Sequence, residues 1–211
     1  MPLLICPGLS ETAEEYRDLL EYLLPRRAVV LSFRGRGLSD TPESGYNLEH
    51  HVEDVEAVIR EAGLSRFSLY GYSRGVSYAL GYARGHSDRI TGLILQDYPP
   101  EHKAMPSEWP KDYIENYLIP YDRLSQIRPK AVEGIQREST QQALVYPYES
   151  PVLVMRGLLE DSLLPDDELE KYKKNFLNLR VRDFARSGHD IRGMEKMELY
   201  ETIQAYLNEL D

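Results

Sequence analysis

The 211-residue sequence predicts an α/β fold, a mostly parallel sheet with helices on both faces, and three observations predict it. Short apolar segments alternate with stretches whose apolar residues recur at helical spacing, the rhythm of βαβ units. Most of the apolar segments run without polar alternation, as strands covered on both faces do. A glycine or proline turn follows each of them, so the chain reverses where a strand should end. The length suits one domain over residues 1–211 with an insertion at 98–150.

Pro2 to Cys6 is the first strand, stopped by Pro7-Gly8. A helix follows with Thr12 and Glu15 at capping-box spacing and Tyr16, Leu19, Leu20 and Leu23 on one stripe, until Pro25 ends it. Ala28 to Phe33 is the next strand, with Arg34-Gly35-Arg36-Gly37 as the loop after it. Asn47 opens a helix whose face is Val52, Val55, Ile59 and Ala62, closed by Gly63. Phe67 to Tyr70 is a strand, and the helix after it buries Val76, Ala79, Leu80 and Ala83. Ile90 to Gln96 is another strand, ended by Asp97 and Pro99-Pro100.

From Tyr98 to Ser150 the rhythm breaks into short helical pieces that carry Trp109, Tyr113, Tyr117 and Tyr121 and show no clear strand. This span reads as an insertion lying over the strand ends, where α/β sheets bind ligands; the alternative is a pair of ordinary helices packed on the sheet. Alternation resumes with Val152 to Arg156, a helix over 166–175, and Leu177 to Phe184. The last helix carries Tyr200, Ile203, Leu207 and Leu210 on one side.

The chain is organised around Gly71-Tyr72-Ser73-Arg74-Gly75, which sits between a strand and a helix. A serine on so sharp a turn is strained, and the flanking positions must lack a side chain for strand and helix to approach. A serine helix cap would explain Ser73 but not both glycines. A serine hydroxyl needs a base, and the base needs a carboxylate. Two later strands end in loops that supply them: Gly157-Leu158-Leu159-Glu160-Asp161-Ser162, and Ala185-Arg186-Ser187-Gly188-His189-Asp190. In a parallel sheet all three loops fall at one edge.

These stretches, with Cys6-Pro7-Gly8-Leu9 and Arg34-Gly35-Arg36-Gly37-Leu38-Ser39, resemble the α/β-hydrolase fold superfamily over nearly the whole chain. The resemblance implies Ser73 as nucleophile, His189 as general base and then acid, and an oxyanion hole made by the backbone amides of Leu9 and Arg74. It places the acid three or four residues after Gly157, at Glu160 or Asp161, and Asp161 is favoured as the shorter side chain. Asp97, used in some relatives, is a third candidate. The insertion matches the family's helical cap.

Two features depart from the family pattern. Pro7-Gly8 stands where a His-Gly pair is usual, and the sequence opens at the oxyanion-loop strand, without the two antiparallel strands that normally precede it. The edge strand near 28–33 is then open or covered by a partner chain, a second copy included.

Composition excludes other classes. A net charge of −10 spread along the chain argues against nucleic acid, and no apolar run approaches the roughly 18 residues that span a bilayer. The single cysteine, Cys6, permits no internal disulfide, and the expected compartment is the cytoplasm. No metal-ligand spacing accompanies His50-His51, which read as a solvated helix start, and His86 and His102 read as surface residues. The expectation is a cofactor-independent, metal-free serine hydrolase for a small ester. Lyase, C–C bond hydrolase or haloperoxidase chemistry on the same residues, or a low-turnover ligand sensor, are the alternatives.

Overall fold

The computed structural model describes residues 1–211. Its centre is a six-stranded, fully parallel sheet built from β1 (Leu3–Cys6), β2 (Ala28–Val30), β3 (Phe67–Tyr72), β4 (Ile90–Gln96), β7 (Val152–Gly157) and β8 (Leu179–Phe184). The order is β2-β1-β3-β4-β7-β8, which puts the serine strand β3 inside the sheet. β2 is shorter than expected: the ladder stops at Val30 because its partner β1 gives way to Pro7, which has no N–H to offer. It pairs only with β1 and forms the sheet edge.

The pleat sorts each strand between two cores. Leu4 and Cys6 of β1 face one core with α2 (Leu48–Glu61), α3 (Gly75–Ala83) and α6 (Asp166–Asn175). Leu3 and Ile5 face the other with α1 (Arg17–Tyr22), α7 (Ile191–Met194) and α8 (Lys196–Glu209). The capping signals act as predicted: Glu15 accepts from the Thr12 amide at 2.9 Å, and Asn47 accepts from the His50 amide at 3.0 Å. Buried Cys6 has its thiol pKa pushed up by desolvation, so it behaves as a small apolar side chain. No helix is long and apolar enough to cross a membrane.

Residues 98–150 do contain strand. β5 (Glu101–His102) and β6 (Gln142–Ala143) form a two-residue antiparallel ladder at the base of the segment, too short for periodicity to mark. Between them lie α4 (Trp109–Tyr113), which runs into a π-helical turn at Ile114–Leu118, and α5 (Pro129–Glu138). A small core of Leu118, Ile127, Ala131, Val132 and Ile135 closes around Tyr46. The loop after β2 is the seam between this segment and the sheet: Arg128 donates its amide to Gly35 O at 3.0 Å and its guanidinium to the carbonyls of Gly37 and Ser39.

Candidate active site

Ser73 sits at φ +52° between β3 and α3, in the left-handed region that a non-glycine residue rarely enters. Both flanking glycines are required by contact. A Cβ on Gly71 would lie 2.7 Å from the Val76 backbone, and one on Gly75 would collide with the carbonyls of Cys6 and Pro7. The turn presses α3 against the end of β1 and lifts the serine hydroxyl to the rim of the sheet.

That hydroxyl lies 3.0 Å from Nε2 of His189, and Nδ1 of the same ring lies 2.8 Å from Oδ2 of Asp97. The carboxylate on the imidazole is thus Asp97, not Asp161 or Glu160. Asp161 is exposed and meets His189 only at its backbone amide, 3.4 Å away; its carboxylate packs over Gly188, where a Cβ would collide with it. Glu160 is exposed too. The expectation that the later loop supplies the carboxylate is corrected for a physical reason. β4 lies beside β3 in the sheet, so the residue ending it comes under the histidine loop, while Asp161 stands further along its own loop in solvent.

Asp97 is built for the position. It is fully buried, at φ +50°, and its two oxygens accept from Gly157 N (3.2 Å), Ser162 Oγ (2.6 Å) and Leu163 N (3.0 Å) besides the imidazole. With both oxygens fully engaged, this buried carboxylate leaves no uncompensated polar group. The loop expected to supply the acid supplies the donors that orient it instead. With Nδ1–H directed at Asp97, Nε2 of His189 is left to accept from Ser73. Tyr72 stacks on the imidazole at 5.1 Å and 23°, and its hydroxyl donates to the His189 carbonyl at 3.2 Å.

The backbone amides of Leu9 and Arg74 have no protein acceptor, whereas the neighbouring Gly8 amide is taken by Glu11 at 3.0 Å. They flank Ser73 from two loops, one after β1 and one at the start of α3. The hydroxyl opens on a cleft of about 520 Å³ that Tyr113 and Tyr117 of the 98–150 segment help to line. Its wall is more charged than the sequence suggested. Arg123 pairs with Glu15 at 2.9 Å, and Arg192 pairs with Glu11, which also accepts from Tyr16 OH at 2.5 Å. No motif marks these four residues; the 98–150 segment brings Arg123 to Glu15, and α7, after the histidine loop, brings Arg192 to Glu11.

The Arg74 side chain reaches neither an acid nor the cleft. It turns inward to Tyr78, His102 and Ser139. His51 and His102, expected at the surface, are fully buried: α2 packs His51 on Tyr78, and the β5-β6 ladder covers His102. Arg34 of the loop after β2 pairs with Asp54 at 2.7 Å, and Arg36 is buried.

The sequence profile of the α/β hydrolase fold family matches residues 1–118. The chain is 27% identical over 157 residues to a serine hydrolase-like protein of Danio rerio, covering 71% of this chain and 47% of that one. It is 33% identical over 100 residues to epoxide hydrolase 3 of Xenopus tropicalis, covering 46% and 27%. It is 26% identical over 99 residues to a 2-(acetamidomethylene)succinate hydrolase of Mesorhizobium japonicum, covering 46% and 36%. The matches thus span between about a quarter and a half of these relatives' own length. Among solved structures, an esterase from a Rhodococcus species superposes with a TM-score of 0.84 at 18% identity, covering 100% of this chain and 91% of that one. A thermophilic esterase from Thermogutta terrifontis superposes at 0.82 and 19%, covering 100% and 90%.

Proposed function

The chain belongs to the α/β-hydrolase fold family, and on that premise we propose that it is a serine hydrolase for a small ester or related acyl compound. The observation that carries the reading is the unbroken line from Ser73 Oγ through His189 to Asp97 at 3.0 and 2.8 Å. Ser73 attacks the acyl carbonyl while its proton passes to Nε2 of His189, and Asp97 stabilises the imidazolium. The carbonyl oxygen, now an oxyanion, is held by the amides of Leu9 and Arg74. The tetrahedral adduct collapses, His189 returns the proton to the leaving alcohol, and an acyl-serine remains. Water, deprotonated by the same imidazole, repeats the sequence and releases the acid. Residues 98–150 act as a cap that shapes the acyl pocket through Tyr113 and Tyr117.

A second reading is favoured by one relative, a putative 2-succinyl-6-hydroxy-2,4-cyclohexadiene-1-carboxylate synthase of Bacillus subtilis, 26% identical over 100 residues. The fold therefore hosts more than hydrolysis, and the site decides. A fluorophosphonate probe should label the wild-type chain and not Ser73→Ala. Labelling that survives the substitution, or none in the wild type, overturns the serine reading. Labelling without turnover of any p-nitrophenyl ester moves the reaction to the second reading.

A further inference from the structure

Behind the cleft lie two guanidiniums that hydrogen-bond to no carboxylate. Arg36 and Arg74 are 1% and 3% exposed. Arg36 donates from Nε to the Leu9 carbonyl at 3.0 Å, and from Nη1 to the Arg34 carbonyl at 2.7 Å and to Nε2 of His51 at 3.0 Å. Its Nη2 is buried without any partner. Arg74 donates from Nε to Tyr78 OH at 3.2 Å and from Nη1 to the Met105 sulfur at 3.3 Å. Its Nη2 reaches Nε2 of His102 at 3.3 Å, the Lys103 carbonyl at 3.1 Å and Ser139 Oγ at 2.7 Å.

Every one of these acceptors is neutral. His51 gives its Nδ1 proton to the Asn47 carbonyl at 2.7 Å, so Nε2 is the acceptor for Arg36. Ser77 gives its proton to the Arg74 carbonyl at 2.8 Å, so Nδ1 of His102 donates to Ser77 at 3.1 Å and Nε2 accepts from Arg74. Burial, and after it the adjacent guanidinium, holds the His102 pKa down at about 3 and that of His51 well below the ordinary value.

A buried charge without a counter-ion lowers stability, and replacing such groups by apolar side chains of similar volume is often neutral or stabilising. Such a site breaks the rules of a good core, and places that do so are expected to serve function. What the two cations share is their address. Arg36 grips the Leu9 carbonyl, and Arg74 carries the second free amide on its own backbone. Tyr78 accepts from Arg74 and stacks on His51 at 4.2 Å and 3°, tying the two arginines into one buried block.

We propose that Arg36 is a positioning residue for the Leu9 amide, and that Arg36 and Arg74 together hold a positive field beneath the oxyanion hole. The proposal rests on the serine-hydrolase reading. The substrate carbonyl is neutral and the tetrahedral oxygen carries a full charge, so a fixed cation in a dry site acts on the transition state and not on substrate binding. The grip on the Leu9 carbonyl keeps that loop from reorganising as charge develops.

The test compares Arg36→Met, Arg36→Lys and Arg36→Gln in the full chain, reading p-nitrophenyl acetate turnover, the rate of Ser73 labelling by a fluorophosphonate, and the thermal midpoint. Arg36→Met should lower kcat and the labelling rate by about 10- to 100-fold, with KM within about twofold. Its midpoint should stay or rise, because an uncompensated charge has been removed. Arg36→Lys, which keeps the charge, should recover most of the loss, and Arg36→Gln, which keeps a donor without charge, should not. Wild-type kcat in Arg36→Met overturns the proposal. So does equal activity in Arg36→Lys and Arg36→Gln, a comparison that stands even where the Met variant fails to fold. A wild-type chain whose Ser73 does not label takes the hydrolase reading down as well, and so is told apart from a labelled chain indifferent to Arg36.

Discussion

Two serine-histidine pairs flank the start of α3, and they differ in the charge on the far side of the ring. In one, His189 stands between Ser73 and the carboxylate of Asp97. In the other, His102 stands between Ser77 and the guanidinium of Arg74. The carboxylate behind His189 accepts from Nδ1–H and leaves Nε2 open to the serine hydroxyl; beside His102, burial and the guanidinium disfavour protonation and leave a fixed hydrogen-bonding spacer. A histidine's role is set by its second neighbour more than by the serine beside it.

The largest effect that would break the contrast is expected from Asp97→Asn. Turnover should fall by about 10³ to 10⁴ because the wrong tautomer is then favoured, with Ser73 labelling slowed in parallel. Near-normal rates in that variant would sink the assignment of Asp97.

The second pair should reveal itself in acid. The folded-state pKa of His102 is about 3, against about 6.5 when unfolded, so below pH 6.5 the unfolded chain binds a proton that the folded chain refuses. Stability should therefore drop as pH falls from 6.5 to 5, by up to about 1.4 kcal/mol per pH unit from His102, and His51, whose pKa burial and then Arg36 also lower, acts in the same direction. Urea unfolding at pH 6.5, 5.75 and 5 should show this slope, and His102→Gln should make it shallower. An unchanged slope in that variant contradicts a neutral buried ring.

A smaller loss is expected where the Asp97 carboxylate is oriented. Ser162→Ala removes the 2.6 Å bond to Oδ1, a bond to a charged group, and should lower kcat by about tenfold. The smallest effects are expected from Ser77→Ala and Asp161→Asn, each within about threefold of wild-type kcat, because one belongs to the inert pair and the other is screened by solvent. A loss of several orders in Asp161→Asn would return the acid to the loop after β7.

Much of this was legible in the residues alone. The strand-helix alternation, the turn at Ser73 and the histidine loop all follow from short-range rules: apolar spacing, and the steric need for Gly71 and Gly75 that the structure displays as contacts. The same rules misplaced His51 and His102, since whether a polar ring is buried depends on what distant chain packs over it.

Sequence by itself determined that a serine, a histidine and several acids would gather at one edge of a parallel sheet, because loop position along βα units is a local property. Only the tertiary structure decided which acid touches the ring. Strand order set β4 beside β3 and buried Asp97 under the histidine loop with three donors waiting, and no spacing along the chain encodes that adjacency. The same holds for Arg36 and Arg74, whose burial among neutral acceptors exists only once α2 and residues 98–150 close over them.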